Sequence, residues 1–237
     1  MEQGVSGEAG CAPEIAPCVS TPEGIPGQGR FFAPADCLPP ADRAADCTVL
    51  LPSEGEERAR ELLGQGHAAV LLGDAALRDA ELVARLAAEF GSERTGVLVP
   101  VKRMQVSWVM DAVSNADFRF MHPSICEPCW EILTSGGQRT GTLASWWMAR
   151  MFERGAGLAL LRADIGDDID LNLCASLVEE FGDRLWLSPL TEAEPALEDW
   201  VRWGHAPRLA LPQALYDSNG AVLAWRDAAA APREQAA

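Results

Sequence analysis

From Thr48 to Leu211 the chain alternates short apolar runs with segments of helical period, and this alternation restricts its fold more than any other feature. Thr48 to Leu51, Ala68 to Leu72, Thr95 to Val99, Leu158 to Ala163, Leu185 to Leu187 and Arg208 to Leu211 have the length and composition of buried strands. Between and after them, helices are expected from about Glu54 to Gly64, Asp79 to Phe90, Leu143 to Arg154, Leu171 to Phe181, Pro195 to Trp203 and Ala221 to Ala230. Ala80, Leu82, Val83, Leu86 and Ala87 give the second helix an apolar stripe, and Gly91 stops it. Strands alternating with helices of this length imply an α/β fold, a parallel sheet with right-handed crossovers.

The ends of the chain and one internal stretch break the rhythm. Residues 1–30 are rich in Gly, Pro, Glu and Ser with no period of 2 or 3.6, and read as an irregular N-terminal arm. Phe31-Phe32-Ala33 suits a short strand, and residues 38–46 read as loop. Residues 31–237 then form the main domain, with an insertion at about 104–142 that contains a hairpin.

With 237 residues, 48% of them hydrophobic, the chain can bury one sizeable core. Its formal net charge of −16 opposes nucleic acid and anionic membrane as partners. No apolar run approaches the ~20 residues of a membrane span. The start MEQGVSGEAG lacks the basic and apolar regions of a secretory signal, so a cytoplasmic protein is expected. Seven cysteines, an odd number in a long chain, argue against a disulfide framework.

Several stretches resemble one family. Leu50-Leu51-Pro52-Ser53-Glu54-Gly55 followed by Glu57 to Gly66 looks like a third strand and helix. Leu71-Leu72-Gly73-Asp74-Ala75-Ala76-Leu77 followed by Asp79-Ala80-Glu81-Leu82 looks like a fourth unit, and Phe90 to Arg103 like a fifth strand with its functional end. Trp130 to Gly141 is similar to a hairpin after that strand, and Arg154-Gly155-Ala156-Gly157 to the entry of the sixth. Ala163-Asp164-Ile165 and Ala214-Leu215-Tyr216-Asp217 resemble the ends of strands six and eight. The family is that of the histidine-biosynthesis barrels, ribulose-phosphate-binding (β/α)8 TIM-type barrels. The nearest resemblance is to the cyclase subunit of imidazole glycerol phosphate synthase, and it covers about Thr48 to Asp217.

The resemblance implies chemistry at the C-terminal ends of the strands, with glycine-rich turns cradling two phosphates and two aspartates acting as general acid and base. Gly73 and Asp74 stand where the family binds its ligand after strand four. The other turns depart from the pattern: Pro52-Ser53-Glu54-Gly55 after strand three, Ser188-Pro189-Leu190 after strand seven and Pro212-Gln213 after strand eight. Each proline removes an N–H donor. The aspartate at the end of strand five is replaced by Pro100, which transfers no proton. Asp36, in Ala33-Pro34-Ala35-Asp36, matches the other aspartate. Cys37 to Cys47 is too short for the helix, strand and helix a complete barrel needs there. The expectation is therefore a divergent, incomplete barrel, or one closed by another chain.

Four further constellations carry functional readings. His122, Cys126 and Cys129 have the spacing of a zinc knuckle; a redox dithiol or ordinary reduced cysteines are the alternatives. Lys102 and Asp164, with Asp36, are the polar groups of an enzyme with altered chemistry on a small, phosphorylated or unphosphorylated metabolite. Asp164, Asp167, Asp168 and Asp170 are explained by helix capping or by a divalent cation. Trp146, Trp147, Met148, Met151, Trp200 and Trp203 offer more apolar area than one helix face needs, which suggests a homo-oligomer or a partner protein. The leading expectation is a binding or assembly protein that has lost the family's catalysis.

Overall fold

The computed structural model describes residues 12–104 and 128–230, with side chains described through residue 228. Eight parallel strands close into a barrel. They are β1 (Glu14–Cys18), β2 (Phe31–Pro34), β3 (Cys47–Leu51), β4 (Ala69–Leu72), β5 (Thr95–Arg103), β8 (Leu158–Arg162), β9 (Leu185–Ser188) and β10 (Arg208–Pro212). β4 pairs with β5, β5 with β8, and β1 with both β10 and β2, so no edge is left open. β6 (Trp130–Leu133) and β7 (Arg139–Leu143) form an antiparallel hairpin on the C-terminal extension of β5.

Closure corrects the expectation of an incomplete barrel. The first strand comes from the segment expected to be an irregular arm, and it pairs along its whole length with β10, from Glu14 against Arg208 to Cys18 against Pro212. The next two crossovers contain no α-helix. A 3-10 turn at Pro22–Gly24 joins β1 to β2, and another at Ala41–Asp46 joins β2 to β3. Residues 19–30 and 35–46 are about the minimum for a parallel crossover, so strands one and two fit where two full β/α units do not.

Elsewhere helices cover the barrel: α1 (Glu56–Gly64), α2 (Asp74–Arg78), α3 (Glu81–Phe90), α4 (Ala144–Glu153), α5 (Asp168–Phe181), α6 (Leu197–Arg202), α7 (Gln213–Ser218) and α8 (Gly220–Ala230). Their apolar faces and one face of each strand make the outer core, in which Val49, Leu51, Leu86, Met148, Leu161 and Trp200 are buried. The opposite strand faces fill the interior with Ala16, Phe32, Ala69, Leu71, Leu98, Leu158, Leu160, Trp186 and Ala210. The wide Trp186, packed edge-to-face on Phe32 at 5.1 Å, is offset by three alanines and by Gly96. At Gly96 a Cβ would overlap the Leu158 carbonyl oxygen. The guanidinium groups of Arg30 and Arg208 lie 5.8 and 5.7 Å from the Trp186 ring centroid and close the N-terminal end. The end left for function is the C-terminal mouth.

Candidate functional site: the barrel mouth

Strand alternation determines which side chains reach the mouth. Two residues beyond the interior positions stand Cys18, Pro34, Gly73, Pro100, Arg162, Ser188 and Pro212 on seven of the eight strands. Pro100, Arg162 and Ser188 are side by side on β5, β8 and β9, and Cys18 is opposite Pro212. The mouth is thus rimmed by prolines, which offer no N–H.

One half of the mouth is sealed. The N–H of Gly73 donates to the Leu51 carbonyl at 2.9 Å, and that of Asp74 donates to Pro52 at 2.8 Å. The strand-four turn therefore spends on strand three the amides that a phosphate would need. A Cβ at Gly73 would overlap the Pro52 carbonyl oxygen, so glycine is needed there for packing. The Asp74 carboxylate accepts from the Ser135 N–H at 2.8 Å and its hydroxyl at 2.6 Å, which pins the β6–β7 hairpin tip over the strand ends. The space enclosed by Pro52, Gly73, Leu98, Pro100, Leu133 and Ser135 is about 10 Å³, room for about one water.

The base of the same hairpin is held by a buried carboxylate. Asp170 is 5% exposed; it accepts from Arg103 Nε at 3.0 Å and from the Trp130 indole N–H at 3.1 Å. Asp167 caps α5 by accepting from the N–H groups of Ile169 and Asp170, and it also pairs with Arg103 at 2.6 Å. Arg103 and those N–H groups hold its carboxyl below the usual range. Glu131, also buried, accepts from Arg139 and from the Gly141 N–H.

The other half is built around Arg162 and the loop after β9. Arg162 is half-buried, and its only hydrogen bond among the described residues donates Nη2 to the Leu190 carbonyl at 3.1 Å. Cys18 and the buried Ser188 lie beside it, and the Ser188 hydroxyl donates to the Pro189 carbonyl at 3.4 Å. Burial pushes the Cys18 thiol up to about 12, against the opposing pull of the Arg162 charge and the Ser188 hydroxyl, so it is a neutral S–H. Asp164 does not answer the Arg162 charge, because its oxygens are filled. They accept from the N–H groups of Leu190 (3.0 Å), Thr191 (2.8 Å) and Glu192 (2.9 Å) and from the Thr191 hydroxyl. Burial pushes the Asp164 carboxyl up, but these donors outweigh it and the net shift is downward. Burial, then the Asp164 charge, raises Glu192.

The residues singled out by sequence are dispersed. Asp36 is exposed in the turn after β2. Lys102 is exposed on the extension of β5 beyond the ring, opposite Glu131 of β6. Asp164 anchors the loop after β9, and Gly73 and Asp74 bind strand three and the hairpin. His122 and Cys126 lie outside the described residues. Cys129 is half-buried before β6, with Sγ 3.9 Å from Met104 Sδ. Of the aromatic set, Trp147 and Trp200 are core, whereas Trp146 and Trp203 are 56% and 55% exposed.

Cys18, Arg162 and Ser188 are not among the residues that sequence reasoning selects. Arg162 and Ser188 carry a usable signal, two residues past the buried Leu160 and Trp186. Cys18 carries none, because its strand has no sequence signature.

A further concavity lies outside the ring. It is a groove of about 870 Å³ among β6, α4 and α5, lined by Met104, Cys129, Trp130, Leu143, Ile169 and Leu173 with others. No known protein-family model matches the chain. The fold is an α/β barrel of TIM type.

Proposed function

We propose that this chain is a divergent relative of the histidine-biosynthesis barrels that no longer performs their isomerase or cyclase reaction and works as a binding or assembly protein. The observation that carries this reading is the sealed half of the mouth. The strand-four amides are spent on Leu51 and Pro52, and the enclosed space holds about one water. A substrate with two phosphates needs free N–H groups at the turns and a cavity of several hundred Å³. Pro100 in place of the acid–base aspartate, and prolines at the other turns, agree with it. The apolar groove between α4 and α5, with Leu143 and Ile169 exposed on its wall, supports a role in association.

Altered chemistry through Lys102 and Asp164 is the alternative. It would require Asp164 to release the N–H groups of three residues before it could transfer a proton, and Lys102 to act from an exposed position that gives no desolvation. A structural zinc on His122, Cys126 and Cys129 is part of the binding reading. Elemental mass spectrometry on the purified chain reads it directly: near one zinc per chain supports it, and none under reducing, chelator-free conditions removes it.

The test of the main reading is calorimetric titration of the chain with a sugar bisphosphate. No saturable heat is expected. Saturable binding, or turnover of any phosphorylated sugar substrate, would overturn the loss of function.

A further inference from the structure

We propose that the groove between α4 and α5 is the contact face of a symmetric homodimer, in which Trp146 of each copy enters the groove of the other. The inference deepens the association role proposed above and rests on it.

The groove supplies the hole. One wall is α5, where Ile169, Leu173 and Leu177 recur at every fourth residue and stand in one row. Asn172, Ser176 and Glu180 form the adjacent row. Facing them are Leu143, Ala144 and Ser145 at the start of α4, with Cys129 and Trp130 from the base of the hairpin. The volume of about 870 Å³ lies in the range of cavities that admit a drug-sized molecule, so an indole ring enters it.

The knob stands beside the hole. Trp146 is 56% exposed in the first turn of α4, directly after the lining residues Leu143, Ala144 and Ser145. Its neighbour Trp147 is buried, so packing of α4 on the barrel accounts for Trp147 and not for Trp146. The exposed large apolar side chains among the described residues are Leu143, Trp146, Ile169, Trp203 and Leu223, and the first three belong to this face. A protruding aromatic next to an apolar groove is self-complementary about a two-fold axis, because one rotation brings each Trp146 to the other copy's groove.

Charge selects a second copy as the occupant. With 35 Asp and Glu against 19 Lys and Arg, two copies meeting on an ordinary face would set carboxylates against carboxylates. The groove lining holds one charged residue, Glu180, at the end of its row. Arg150, one turn after Trp146, is paired with Glu153 on its own helix. Like-charged copies therefore meet here with little repulsion. A basic partner would be drawn to the acidic faces and gains nothing from an uncharged groove.

Sedimentation equilibrium on the full chain tests this, with W146S, S176E and W203S as variants. The wild type is expected to form a dimer that dissociates on dilution. W146S removes the knob and S176E places a carboxylate in each groove; each should weaken the dimer by at least ~10-fold. W203S removes an indole that is equally exposed, at 55%, but away from the groove, and should leave the dimer unchanged. Circular dichroism establishes that the variants are folded. A monomeric wild type at every concentration, unchanged association in folded W146S or S176E, or an equal loss in W203S would each overturn the interface. A monomer would leave the groove to residues 105–127 or to a different protein. Saturable binding of a sugar bisphosphate by a chain that dimerises as expected would overturn the loss of catalysis and leave this face standing. A monomer that binds no sugar bisphosphate would do the reverse.

Discussion

The two halves of the barrel mouth start from the same kind of strand end and are finished in opposite ways. Around β3, β4 and β5, the polar groups of Gly73, Asp74 and Asp170 are used by the protein itself. Gly73 and Asp74 bind strand three, Asp74 and Asp170 hold the hairpin, and about 10 Å³ of space is left. Around β8 and β9, Arg162 and Asp164 are both engaged by the loop after β9, through the Leu190 carbonyl and the Leu190, Thr191 and Glu192 N–H groups, and the Ser188 hydroxyl donates to the Pro189 carbonyl. The difference lies in the segment attached to each strand end. β5 extends to Arg103 and pairs with the β6–β7 hairpin, whose tip reaches Asp74, whereas β8 and β9 are followed directly by residues 163–167 and 189–196, which lead into α5 and α6. One ring of strand ends is thus finished by a hairpin on one side and by a loop on the other.

The strongest way to break this contrast is to unfasten the sealed half at its buried anchor. D170A leaves the Trp130 indole N–H and part of the Arg103 guanidinium unpaired in a dry setting. A buried pair broken from one side costs up to several kcal/mol, but Arg103 is about one-third exposed and partly rehydrates. A loss of about 2–3 kcal/mol by urea denaturation is expected. D170N, which retains an acceptor for Trp130, should lose less. Equal stability of D170A and wild type would mean that the hairpin is not fastened there. G73A comes next. Its Cβ would meet backbone rather than a movable side chain, so overpacking of about 2 kcal/mol is expected by the same measurement.

D164N loosens the loop after β9 and should cost about 1–2 kcal/mol at neutral pH, because the amide reproduces only part of the fan of accepted hydrogen bonds. The sign of its pH dependence comes from the lowered carboxyl. Above the ordinary value of 3.8 the folded and unfolded chains are both ionised here and the full contribution is present. As pH falls below 3.8 the unfolded chain takes up its proton first, and the contribution disappears as pH passes through the folded value. The wild type should therefore lose an increment of stability in that acid range that D164N does not. Parallel acid limbs would show that the carboxylate is not the group that holds Leu190, Thr191 and Glu192.

How much of this is legible in the sequence also divides along the molecule. From β3 onward, period and apolar runs locate the strands and most helices within a few residues, because each strand is flanked by a helix that must bury one face. The pattern gives a turn and one helix where the structure has α2 and α3, and it ends β5 at Val99 where the structure runs to Arg103. β1 is not legible: Glu14-Ile15-Ala16-Pro17-Cys18 has a proline inside it and no helix after it, so neither propensity nor alternation marks a strand. Its identity is set by pairing with β10. The absence of an N–H donor at Pro52, Pro189 and Pro212 is readable from the sequence. The use made of the surviving amides is not, since a sequence does not say which carbonyl an N–H meets.

The smallest expected effect is the most discriminating. In a stability experiment R162Q should change little, by about 0.5 kcal/mol or less, since Arg162 makes one hydrogen bond to the Leu190 carbonyl and no ion pair among the described residues. A structural arginine behaves differently: R103Q should be costly, because its loss leaves Asp170 buried without its charge partner. The pair of variants therefore separates the two halves of the mouth by urea denaturation alone. If R162Q is as damaging as R103Q, the single Arg162 contact to the Leu190 carbonyl is as structural as the hairpin's anchor. If R162Q is neutral, the loop after β9 is held by Asp164 rather than by Arg162.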